Sequence, residues 1–192
     1  MTFPTLLTLL RIPLAFLVMA AIFAPGWPAK AVALGLFLLA SMTDWLDGYL
    51  ARRWRQTSPL GALLDPIADK VLILGTFLAL VQLAWIPAWM VLIIVLREFL
   101  ITGVRLVAAS RHVVLAAERA GKQKLVSQVL TIVVILAVLL IQALVGPEAI
   151  APAAGGAMDA LIQICLWITM GLTVVSGAVF LWRHRTVLSG GR

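Results

Sequence analysis

The chain has 192 residues, 63% of them hydrophobic and 12% charged, with a mean hydropathy of +1.10. Soluble domains carry about 25% charged residues and about half apolar ones, which excludes a water-soluble fold, a disordered chain, a secreted enzyme and a disulfide scaffold. The formal net charge of +7 comes from 15 Lys and Arg against 8 Asp and Glu. In so apolar a chain it marks loops facing anionic headgroups rather than nucleic acid.

Six crossings of about 20 residues each would use about 120 residues and leave short loops. The chain therefore reads as an all-α polytopic membrane protein, with residues 1–192 forming a single transmembrane domain. Apolar runs predict spans over about 6–24, 30–51, 62–83, 87–108, 124–145 and 158–182. Met1 to about Arg11 reads as an interfacial, helix-leading segment that stays in the mature protein. No basic residue precedes the apolar stretch as a cleaved leader would require, and Arg11 interrupts it. Pro25-Gly26-Trp27-Pro28 turns the first hairpin, Ser58-Pro59 and Gly61 punctuate the second connection, and Trp85-Ile86-Pro87 the third. The stretch from Gly146-Pro147 to Gly155-Gly156 reads as a connector, and Cys165, the one cysteine, as a small buried hydrophobe.

With an even number of spans, both termini share a side with the second and fourth connections. That side gathers every basic residue except Lys30, so the positive-inside rule makes both termini cytoplasmic. Most of the seven tryptophans fall near span ends, as interfacial anchors do. Glu148 and Asp159 fall on the opposite side and read as solvated, and neither His112 nor His184 has a metal-ligand pattern around it.

Four of the eight acidic residues, Asp44, Asp47, Asp65 and Asp69, lie between positions 44 and 69. Each would cost about 2.5–3.5 kcal/mol at a bilayer centre, so a function is the first reading to weigh. Asp44 and Asp47 are i, i+3 at the end of the second span. Asp65 and Asp69 are i, i+4 at the start of the third, so each pair shares a helix face. Four facing carboxylates do not all stay ionised without cations. All-oxygen ligation suits Mg²⁺ or Mn²⁺, and two divalent ions would balance the four charges. Gly48, Ala51 and Gly61 continue the carboxylate faces as a floor without bulk, and Arg52 at the rim suits bidentate phosphate contact. Metals and an arginine over such a floor describe a diphosphate site. The plain alternative is a set of buried polar contacts and small residues that only pack helices together.

Written out, Asp44-Trp45-Leu46-Asp47-Gly48-Tyr49-Leu50-Ala51-Arg52, eight residues, then Gly61-Ala62-Leu63-Leu64-Asp65-Pro66-Ile67-Ala68-Asp69 resembles the signature of the CDP-alcohol phosphatidyltransferases, D-x2-D-G-x2-A-R-x8-G-x3-D-x3-D. Every fixed position matches. The resemblance implies six membrane helices with a cytoplasm-facing site, and two divalent cations held by Asp44, Asp47, Asp65 and Asp69. It implies that Gly48, Arg52 and Ser58 contact the CDP part of CDP-diacylglycerol and that Asp69 is the general base. The acceptor hydroxyl would attack the β-phosphorus of the lipid diphosphate, and CMP would leave.

Within the family the chain is similar to the bacterial phosphatidylglycerophosphate synthases, whose acceptor is sn-glycerol 3-phosphate. The resembling pieces are Pro4-Thr5-Leu6-Leu7-Thr8-Leu9-Leu10-Arg11, Ala68-Asp69-Lys70, Arg97 through Arg105, and Gly121-Lys122-Gln123-Lys124. Thr5 and Leu125 depart from that pattern, standing where many members have Asn and Thr. A small phosphorylated acceptor needs a basic pocket, which Arg97, Arg105, Lys122 and Lys124 would supply, with Glu98 orienting a basic side chain. Glu98, Thr102 and Arg105 fall at i, i+4, i+7 on one face. Serine, an inositol phosphate or phosphatidylglycerol are the alternative acceptors. Outside enzymes the alternative is a cation transporter, for which Arg52 beside the aspartates has no use. The resemblance places the protein in a bacterial cytoplasmic membrane and allows a homodimer, whose interface the sequence does not mark.

Overall fold

A computed structural model describes the backbone of residues 3–54, 59–110 and 119–185, and the side chains of residues 10–43, 70–110, 121–146 and 148–185. Among these, six α-helices form: α1 (Phe3–Phe23), α2 (Trp27–Trp54), α3 (Pro59–Gln82), α4 (Ala88–Ser110), α5 (Arg119–Val145) and α6 (Pro152–Arg183). Five of the six helices begin three to six residues before their predicted spans, and α4 one residue after its own, because hydropathy locates the oily centre of a helix and not its polar end turns. The largest shift is at α6. Pro152 to Gly156, expected as connector, is helical with Pro at the first turn. The missing proline N–H falls where an intrahelical donor has no partner anyway, so a proline-led loop becomes a helix start. Only Pro147–Ala149, a single 3-10 turn, interrupts the link from α5.

α1 packs most extensively on α3 and then on α2, α5 on α6, and α2 also on α5. α4 leans mainly on α6 and less on α3. Val18, Ile22, Phe37, Phe77, Leu80 and Ile132 are fully buried in the shared core, and Gly75 lets α3 approach α1 closely. A Cβ added at Gly75 would lie 3.3 Å from the Met19 sulfur. Arg11 is itself buried within α1 rather than lying at its surface. Cys165 is only half-buried, on a face of α6 that is largely exposed.

The outside of the bundle is oil. Phe16, Leu39, Leu78, Phe99, Val126 and Trp182, one from each helix, are between 54 and 70% exposed. So much apolar surface on every helix would aggregate in water and is at home in lipid. Among the described residues, α5 from Gly121 to Val145 and α6 from Pro152 to Arg183 are long and apolar enough to cross a bilayer. Leu10–Phe23, Trp27–Thr43 and Lys70–Gln82 are shorter apolar stretches. α4 has 23 residues, about 34 Å at 1.5 Å per residue, but any crossing-length stretch in it holds Arg97, Glu98 and Arg105. Those charges need a reason inside the protein.

Two links show how the turns close. Lys30, read from the sequence as the one cation on the far side, donates to the backbone carbonyls of Ala24, at 2.8 Å, and of Ile22. It thereby satisfies acceptors that the end of α1 leaves open. Between α3 and α4, Ala84 sits at φ +60°, a conformation that costs a residue with a Cβ about 1–2 kcal/mol. Ala84→Gly is therefore expected to stabilise the protein by about 0.5–1 kcal/mol, read as a higher thermal midpoint in detergent.

Candidate functional site

The charges of α4 have their reason in a cavity of about 530 Å³ at one end of the bundle. The start of α3, the second half of α4, the start of α5 and the end of α6 line it. Antiparallel neighbours joined by short links bring those ends together. Among the described residues, five basic side chains, Lys70, Arg97, Arg105, Lys122 and Lys124, face one carboxylate, Glu98.

Glu98 organises the inner wall. Its Oε1 accepts from Arg97 Nη1 at 3.0 Å and from the ammonium of Lys124, so a carboxylate on α4 ties a cation on its own helix to one on α5. Lys124 is buried, and the side chains of Arg97 and Glu98 are each 14% exposed. A buried ammonium needs such a partner, since its desolvation otherwise costs several kcal/mol. One turn on, Thr102 donates to the Glu98 carbonyl at 2.7 Å and accepts from Lys70, which joins α3 to the same wall. Arg105 lies over the Phe180 ring of α6, 5.6 Å from its centroid, and is exposed, as is Lys122. The two exposed cations thus stand at the mouth and the paired ones further in. Gln128, fully buried on α5, also lines the cavity, and its Nε2 has no hydrogen-bond partner.

Of the residues singled out in the sequence, Arg97, Arg105, Lys122 and Lys124 are brought together here with Glu98 and Thr102. Lys70, Gln128 and Phe180 were not assigned to the pocket. Lys70 follows Asp69 directly, and that adjacency was the available signal. Gln128 is one turn beyond Lys124 on α5, and the same i, i+4 reasoning used on α4 would have found it. Phe180 carries no sequence signal of its own.

The carboxylate stretch belongs to the same end of the bundle by its backbone. Asp44, Asp47, Gly48, Ala51 and Arg52 lie in the last turns of α2, and Gly61, Asp65 and Asp69 in the first turns of α3, immediately before Lys70. Their side chains, and Ser58 altogether, lie outside the described residues. Both stretches are helical, so the i, i+3 and i, i+4 spacings put each aspartate pair on one helix face. Carboxylates alone form an all-oxygen donor set, which fits a hard divalent cation. Among the described residues no group of three or more His, Cys, Asp or Glu gathers.

The described residues thus form a helical bundle with an apolar outer surface and a basic cavity at the end where the aspartate-bearing turns of α2 and α3 lie. Residues 1–175 match the sequence model of the family described as CDP-alcohol phosphatidyltransferase. A Bacillus subtilis (strain 168) protein named CDP-diacylglycerol--glycerol-3-phosphate 3-phosphatidyltransferase is 40% identical over 142 residues, 74% of this chain and 67% of the relative. An Arabidopsis thaliana protein, CDP-diacylglycerol--glycerol-3-phosphate 3-phosphatidyltransferase 1, chloroplastic/mitochondrial, is 35% identical over 151 residues, 71% of this chain and 51% of the relative. Cardiolipin synthase (CMP-forming) of Oryza sativa subsp. japonica is 34% identical over 152 residues, 71% of this chain and 46% of the relative. The chain thus spans from about half to two thirds of the length of these relatives. It belongs to the CDP-alcohol phosphatidyltransferase family.

Proposed function

We propose that the protein transfers the phosphatidyl group of CDP-diacylglycerol to sn-glycerol 3-phosphate, giving phosphatidylglycerophosphate and CMP. The observation that carries this reading is the cavity in which, among the described residues, five cations face one carboxylate, with Lys70 of its lining directly after Asp69 on α3. An excess of cations suits a phosphate dianion. Free serine would bring an ammonium into that field, and phosphatidylglycerol only a monoanionic diester, so both fit less well. The names of the Bacillus and Arabidopsis relatives support the same acceptor, and that of the rice relative keeps a second one in the test.

In this reading the acceptor phosphate enters past Arg105 and Lys122 and is held with Arg97 and Lys124, while Glu98 keeps the inner cations in place. Asp69 takes the proton of the acceptor hydroxyl as its oxygen attacks the β-phosphorus. The bond from that phosphorus to the CMP oxygen breaks, and CMP leaves with the electron pair. Asp44, Asp47, Asp65 and Asp69 would hold two Mg²⁺ or Mn²⁺ ions, whose charge neutralises the diphosphate and the leaving group. Arg52, Ser58, Gly48, Ala51 and Gly61 line the CDP-diacylglycerol side. The chain crosses a bacterial cytoplasmic membrane six times with both termini and the site on the cytoplasmic face. The one-sided basic residues and the shared end of the helices support that arrangement.

The test is CMP release by purified protein given CDP-diacylglycerol, Mg²⁺ or Mn²⁺, and a panel of glycerol 3-phosphate, serine, inositol phosphate and phosphatidylglycerol. Glycerol 3-phosphate is expected to be the productive acceptor; release with serine alone would overturn the choice of acceptor. In the same assay Arg105→Ala should raise the glycerol 3-phosphate KM about ten-fold or more, as loss of a charge-assisted phosphate contact does. An effect confined to the CDP-diacylglycerol KM would remove Arg105 from the acceptor site.

A further inference from the structure

α6 contributes no charged residue to the cavity, yet both arginines of α4 rest on it. The Ser176 hydroxyl spends its proton on the Thr173 carbonyl at 3.1 Å, which leaves its oxygen to accept from Arg97 Nη2 at 3.2 Å. The other end of the guanidinium donates to Glu98 at 3.0 Å. Between these ends, the buried Nε has no hydrogen-bond partner, and the Arg97 stem lies directly on the α6 backbone at Gly177. A Cβ there would lie 3.0 Å from Arg97 Cγ and 3.9 Å from Nε. Carbon atoms pack comfortably at about 3.5–4.0 Å, so any side chain at 177 must displace the arginine stem. One turn on, buried Phe180 carries the Arg105 guanidinium on its ring. Positions 176, 177 and 180 thus share the α6 face that packs on α4, just past the residues matched by the family model.

We propose that Ser176, Gly177 and Phe180 are positioning residues that set Arg97 and Arg105 at the acceptor-phosphate pocket, so that this face of α6 sets acceptor affinity without touching the acceptor. The proposal rests on the acceptor-phosphate reading of the two arginines. A purely structural role makes a different demand. Ala is a better helix former than Gly, so Gly177→Ala should leave the helix sound while pushing Arg97 out of place.

The test uses the purified full chain with two readouts: steady-state CMP release at varied glycerol 3-phosphate, and calorimetric titration with inorganic phosphate. Gly177→Ala is expected to raise the glycerol 3-phosphate KM and the phosphate Kd about ten-fold, because small misplacements of a positioning group have effects of that order. The CDP-diacylglycerol KM should stay unchanged. Ser176→Ala should shift the same two constants, and Ser176→Thr, which keeps the hydroxyl, should restore them. In an Arg97→Ala background, Gly177→Ala should add nothing, since the two changes act through one side chain. The proposal is overturned if Gly177→Ala leaves both constants as in the wild type, or if its effect persists undiminished without Arg97. Should Gly177→Ala fail to fold, equal constants in Ser176→Ala and the wild type overturn it instead. If the wild type binds phosphate but releases no CMP with glycerol 3-phosphate, the functional reading fails, and the phosphate titration still decides the positioning role. A wild type that binds no phosphate overturns both.

Discussion

Asp69→Asn is expected to abolish CMP release, lowering kcat by about 10³-fold, the scale at which a general base contributes. Asparagine keeps the size and hydrogen-bonding shape of the side chain but does not take up the proton of the acceptor hydroxyl. CDP-diacylglycerol should still bind, because Arg52, Asp44 and Asp47 remain in the last turns of α2 and Asp65 in the first turns of α3. Equilibrium binding of a CDP-diacylglycerol analogue separates the two roles. If binding is lost together with turnover, Asp69 serves chiefly as a ligand for the divalent ions, and the base lies elsewhere.

The largest effect on stability is expected at Glu98. Glu98→Leu leaves Lys124, which is buried, and Arg97 beside it with no carboxylate between them. Breaking a buried ion pair from one side costs about 3–5 kcal/mol, chiefly because the remaining charge stays desolvated and unpaired. The thermal midpoint in detergent should fall accordingly. Inorganic phosphate should recover part of the loss, since an anion in the cavity takes the place of the carboxylate. Glu98→Leu with the midpoint of the wild type would mean that the triad does not hold α4 to α5.

Much of this architecture was legible in the sequence because lipid imposes a simple code. Each of the six apolar runs contains the core of one helix, and the largest shift among the described residues, at Pro152–Gly156, comes from reading Pro and Gly as loop in a place where proline starts a helix. Hydropathy was silent on side-chain partners. The charge count that used Lys30 for topology carries no sign that it also caps the end of α1, and Cys165, which reads as a buried residue, is only half-buried on α6. The basic residues of the cavity were readable as cations out of place in an apolar helix, and Glu98 as their neighbour. Lys70 was partly hidden because it looked like one more positive-inside residue. Ser176, Gly177 and Phe180 were not legible at all. Small and aromatic residues are ordinary in membrane helices, and only the packing of α6 against α4 shows what these three support.

The central claim, that a phosphorylated alcohol in the basic cavity receives the phosphatidyl group, is tested most directly by following label. Purified protein is incubated with CDP-diacylglycerol, a divalent cation and ³²P-labelled sn-glycerol 3-phosphate, and label in the extracted lipid is compared with CMP released. Label should enter a lipid product in one-to-one proportion to CMP, and chelation of the cation should stop both. CMP released with no label in lipid would mean that water and not the acceptor attacks the phosphorus, which would contradict the account.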